Sequence, residues 1–155
     1  MSSDVERWEA ALNAAMDLYA DFREPEAEKA LLALNQTLKD GMDATALDAE
    51  RHFFRGRIQV LLEEPQQALL QFEQALQLDA DHEGALWETA ALLLETLDRP
   101  EGAKAIVEQR LIPLRPDSET YREALAAAET LIRRRVSESG TAVSADAEPS
   151  SEEPV

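Results

Sequence analysis

Moved along itself by 35 residues, the chain falls back into register: Pro65 lands on Pro100, Ala68 on Ala103, Phe72 on Val107 and Leu76 on Leu111. Upstream, Glu24-Pro25 falls on Glu64-Pro65. With a two-residue insertion, Lys29-Ala30-Leu31-Leu32-Ala33-Leu34 falls on Gln67-Ala68-Leu69-Leu70-Gln71-Phe72. Apolar positions recur at three and four, as in Leu69, Phe72, Ala75 and Leu76, and in Trp87, Ala90, Ala91 and Leu94, the period of a one-sided helix. A helical hairpin of this length cannot bury its own apolar face, so about three copies must stack against one another.

Composition agrees with helices. Ala and Leu supply 48 of the 155 residues against 10 for Ile and Val, and unbranched side chains lose little rotamer freedom in a helix. Aromatics at 5% and 5 glycines are too few for a sandwich or barrel. Breakers and caps predict helices over 3–23, 26–39, 44–63, 66–78, 82–97, 101–112 and 117–138, with Pro25, Pro65, Pro100 and Pro116 in first turns. Asp40-Gly41 ends the second, with Gly41 suited to a left-handed cap. Short connections predict antiparallel neighbours. Residues 138–155 hold five acids and no Lys or Arg, which predicts a disordered acidic tail after a folded domain of residues 1–137.

The repeats resemble the tetratricopeptide repeat (TPR) family. The middle one, about 49–82, carries Gly56, Ala68, Phe72 and Ala75; the next, about 84–116, carries Trp87, Ala91 and Ala103, with Val107 in the aromatic place and Arg110 in a small-residue place. The first, about 9–43, carries Tyr19, Ala30 and Leu34, with Thr37 replacing a small residue. The resemblance implies an all-α, right-handed superhelix of helical hairpins, about seven antiparallel helices in all. Gly56, Ala68 and Ala75 are the positions where helices cross and backbones approach. Helix 117–138, with Tyr121, Leu125, Ala128 and Ile132 inward, reads as a capping helix.

Chemistry is scarce. Without Cys there is no disulfide, thiolate metal site or thiol nucleophile. His52 and His82 read as helix-surface or helix-start side chains. Asp79-Ala80-Asp81-His82-Glu83-Gly84 mimics the first half of a calcium loop, but Ala90 stands where a bidentate carboxylate is needed; it reads as a helix boundary. Pro113-Leu114-Arg115-Pro116 has PxxP spacing and reads as a turn between helices, and Arg133-Arg134-Arg135 as cations complementing a helix C-terminus. No cofactor, metal or catalytic group is predicted, and the chain is expected not to be an enzyme. The net charge of −17 disfavours nucleic acid and anionic lipid as partners. No run reaches a membrane-spanning length, and the start lacks a basic segment followed by an apolar one, so a cytoplasmic location is expected.

The resemblance implies an inner face built from the first helix of each hairpin. Its residues are Asn13, Asp17 and Asp21, then Glu50, Phe53, Arg57, Val60 and Leu61, then Glu88, Leu92, Glu95 and Thr96. Asn13, Asp17 and Asp21 are four apart and share a face. Phe53, Val60, Leu61 and Leu92 form an apolar floor between acids, which suits a peptide or amphipathic segment carrying Lys or Arg. Phe53, Val60 and Leu61 also read as ordinary core. The TPR carboxylate clamp for acidic chaperone tails needs several Lys, Arg and Asn here, and only Arg57 and Asn13 qualify. The leading expectation is a protein-interaction scaffold. A secretion-type chaperone holding a partly unfolded client, and self-association into a homo-oligomer, are the other readings.

Overall fold

The computed structural model describes the backbone of residues 3–151 and the side chains of residues 3–139. Among these residues the structure is helical, without a strand. The helices are α1 (Asp4–Ala20), α2 (Glu24–Asp40), α3 (Leu47–Leu61), α4 (Pro65–Leu78), α5 (Glu83–Glu95), α6 (Pro100–Ile106), α7 (Ile112–Leu114) and α8 (Glu119–Ser151). A π turn, Val107–Leu111, joins α6 to α7 without a break. No helix among the described residues is long and apolar enough to cross a membrane. The expected tail, 138–155, lies largely beyond the described side chains, and residues 152–155 lie outside the described residues altogether.

The chain forms two compact units, residues 1–92 and 93–155. In the first, α1 packs on α2, α2 on α3 and α3 on α4. Trp8, Leu12, Ala15, Leu31, Leu38, Phe54 and Ile58 make one core, with the Trp8 and Phe54 rings edge to face at 5.8 Å. Gly56 lies where α3 crosses α4: a Cβ there would sit 2.4 Å from the Phe72 ring. Gly84 does the same at the start of α5, where a Cβ would lie 2.8 Å from Phe53. Ala68 and Ala75 are fully buried, as their crossing positions require. In the second unit α6 and the π turn pack on α8, burying Ala103, Val107, Leu111, Tyr121 and Ala128.

One backbone device recurs after α1, α3 and α5. Phe22, Glu63 and Asp98 adopt φ of 59°, 60° and 53°. A residue with φ between −106° and −123° and ψ between 57° and 72° follows each, Arg23, Glu64 or Arg99, and proline falls in the next helix's first turn. The Arg23 and Glu64 N–H groups close back on the carbonyls of Leu18 and Gln59 at 2.8 and 2.9 Å, which satisfies helix-end acceptors. None of the three is glycine, so each carries the left-handed penalty of an L-residue. Phe22 is 91% exposed and loses little packing on truncation. Phe22→Gly is therefore expected to raise stability by about 0.5–1 kcal/mol, read as a higher thermal midpoint.

Several expectations need correction. Gly41 is not left-handed: its φ is −84°, because its N–H still bonds to Thr37 and Leu38 carbonyls. The positive φ falls on Ala44, at 62°. The third repeat's departure from pattern at Arg110 also dissolves. The π turn inserts one residue, so Arg110 rotates to the surface and Leu111, fully buried, takes the inward place. The turn also explains Pro113, which lies within α7 rather than between helices. A proline ring clashes with the carbonyl four residues back, and the wider π turn relieves that clash. The helix stops at Leu114, one residue before the pre-proline Arg115. The Arg133-Arg134-Arg135 run does not close a helix, since α8 continues past it; Arg135 instead binds Asp98 at 2.6 Å.

Candidate functional site

The first helices of the hairpins carry the residues on which a partner site would depend. Arg57 of α3 reaches α1, where its Nη1 donates to Glu9 Oε2 at 2.8 Å. Its guanidinium also lies 5.6 and 5.4 Å from the Phe53 and Phe54 ring centroids, so aromatic faces and a carboxylate hold the cation together. Beside it lies a hollow of about 160 Å³ lined by Leu12, Met16, Arg57, Val60, Leu61 and Glu88. Four residues assigned to the groove, Arg57, Val60, Leu61 and Glu88, thus meet at one place, joined by two α1 residues one turn apart.

The remaining assigned residues are placed differently. Asn13 and Asp17 are exposed on α1, and Asp21, also exposed, caps its C-terminus; the lining facing α3 comes from Leu12 and Met16 instead. Glu50 is engaged by His82: its Oε1 accepts from Nε2 at 2.7 Å. Phe53 lies tilted against the same imidazole, with ring centroids 4.8 Å apart, and packs against the core. Leu92 is 5% exposed and offers almost no surface. Glu95 and Thr96 are exposed and belong to the second unit.

The two histidines are structural. His82 precedes α5, and its Nδ1 accepts the Ala85 N–H at 3.0 Å, an N-cap contact. The hydrogen bond to Glu50 pushes its pKa up against the opposing effect of burial. His52 Nδ1 meets Gln71 Oε1 at 2.8 Å, linking α3 to α4. The acidic stretch 79–84 is a helix boundary, with α4 ending at Leu78 and α5 opening at Glu83. Among the described residues no three His, Asp or Glu side chains are grouped to hold a metal ion.

A second hollow, about 430 Å³, was not expected. Met16, Tyr19, Glu24, Glu28, Leu61, Leu62 and Glu63 line it. Burial first, then the charges of Glu28, Glu24 and Glu63, push the Tyr19 hydroxyl upward in pKa. Tyr19 stood in the sequence as a repeat-pattern residue, and the carboxylates belong to helix starts and turns, where acids are ordinary. Only the packing of α1, α2 and α3 unites them.

Over 96% of its length the chain is similar to the Hsp90 co-chaperone Cns1 of Saccharomyces cerevisiae (a delta69 form), with a TM-score of 0.67 and 13% identity, and it spans 47% of that protein. The fold is TPR-like. PcrH of Pseudomonas aeruginosa aligns over 86% of this chain and 93% of its own, at 19% identity and a TM-score of 0.49. No family model matches the sequence, and no curated protein matches it.

Proposed function

We propose that this protein is a non-enzymatic interaction scaffold of about three TPR-like hairpins and a capping helix, which binds a basic or amphipathic peptide segment of a partner protein. The observation that carries the reading is the hollow where α1, α3 and α5 each contribute a lining residue, with Leu12, Met16, Val60 and Leu61 as an apolar base and Glu88 and Arg57 as its charged members. Such a depression takes one face of a helix or an extended strand. The net charge of −17 would speed encounter with a cationic segment and make it salt-sensitive. The likeness to a co-chaperone in fold favours a protein partner.

The test is calorimetric titration of the full chain with an amphipathic Leu/Lys peptide and, separately, an acidic C-terminal peptide. The basic peptide is expected to bind, more weakly as salt rises, and the acidic one not to bind. Arg57, the one base assigned to the groove, is already held by Glu9. Micromolar binding of the acidic peptide would overturn the reading. The chaperone alternative predicts in addition that a client stays soluble only when co-expressed with this chain.

A further inference from the structure

We infer that the hollow between the α1–α2 turn and the end of α3 is a subsite for one Lys or Arg side chain flanked by an apolar residue of the bound segment. This rests on the peptide-binding reading above but turns on Glu24, Glu28 and Glu63, which lie outside the assigned groove. Three carboxylates, Glu24, Glu28 and Glu63, surround the hollow, and no cation lines it. Its other walls are Met16, Leu61, Leu62 and Tyr19. Long cationic side chains bury their methylene stems on apolar surface while the head group seeks carboxylates, and this lining offers both in sequence. The volume of about 430 Å³ is pocket-sized and accommodates a Lys or Arg side chain together with a small apolar neighbour.

The position fits a continuous ligand. Met16 and Leu61 line both this hollow and the one beside Arg57 and Glu88. A segment seated on the apolar base therefore passes directly from one to the other. Met16 is 43% exposed, large for an apolar residue packed beside a core, and offers contact area to that segment.

The experiment is fluorescence anisotropy with a labelled amphipathic Leu/Lys peptide and its Leu/Gln counterpart. Each is titrated with the wild-type chain and with the triple variant Glu24→Gln, Glu28→Gln, Glu63→Gln. All three positions are exposed, and circular dichroism checks that the helices persist. The triple variant is expected to lose about tenfold in affinity for the Lys peptide, with a shallower salt dependence, and to bind the Gln peptide as wild type does. Binding of the Lys peptide by the variant within about twofold of wild type, well inside a tenfold step, would overturn the subsite while leaving the groove. An equal loss for both peptides would also overturn it, since the carboxylates would then not be reading charge. Failure of the wild-type chain to bind either peptide would overturn the peptide-binding reading, and the subsite with it.

Discussion

Arg51→Ala is expected to destabilise the protein by about 3 kcal/mol, since removing one partner leaves a buried charge uncompensated. Arg51 is 7% exposed. Its Nη1 donates to Asp48 at 2.7 Å and to Asp43 at 2.9 Å, and its guanidinium lies 5.6 Å from the Trp8 ring centroid. Asp48 in turn accepts the N–H groups of Asp43 and Ala44 at 3.2 and 2.9 Å. One cation thus fixes the α2–α3 connection and holds Ala44 in its left-handed conformation. Burial opposes ionisation of Asp48, but the bonds from Arg51, Asp43 and Ala44 outweigh it and keep its carboxyl below the usual range. Hydrogen bonds from Thr45, and the bonds and charge of Arg51, do the same for Asp43. A depressed carboxyl adds stability above its unfolded pKa, near 4, and loses it as pH falls through the folded value. The gap between wild type and Arg51→Ala, measured by urea unfolding, should therefore narrow from pH 7 toward pH 3. A gap independent of pH would show that the pairing with Asp43 and Asp48 contributes nothing, and the loss would then belong to packing on Trp8.

Gly56→Ala is expected to cost about 2 kcal/mol, although alanine is the better helix former by about 1 kcal/mol. The added methyl would meet three Phe72 ring atoms between 2.4 and 2.9 Å, and Phe72 is fully buried. The ring cannot swing away, so α3 and α4 must part, an overpacking penalty of up to about 3 kcal/mol. Phe72→Leu opens that space. In a double-mutant cycle the pair should cost less than the sum of the single changes by about 1 kcal/mol. Strict additivity would remove the contact as the cause.

Much of this architecture is visible in the residues themselves. Pro25, Pro65 and Pro100 announce helix starts because nothing else tolerates a missing N–H so well. Gly56, Ala68 and Ala75 announce a close crossing because their size is the signal. The π turn is invisible, since five ordinary residues, Val107 to Leu111, carry it, and a gapless comparison then makes Arg110 look like a defect. The left-handed positions escape for a like reason: Phe22, Ala44, Glu63 and Asp98 are held there by surrounding hydrogen bonds rather than by their own preference. For the site, four-residue spacing brings Asn13, Asp17 and Asp21 onto one face but cannot say which face meets α3. Leu12 and Met16, one position away, are the residues that do. Glu24, Glu28 and Glu63 lie 39 positions apart end to end, and only tertiary packing makes them neighbours.

The recurring reversal after α1, α3 and α5 is closed by main-chain atoms, so its side chains owe nothing to the closure. Where the corner side chain is exposed and unused by the fold, as at Phe22, substitution is cheap for folding. One already bears a bare aromatic ring, Phe22; another a carboxylate beside a hollow, Glu63; the third a tether to the last helix, Asp98. The corners can therefore change their surface chemistry while the main-chain closure, and the helices it joins, stay as they are.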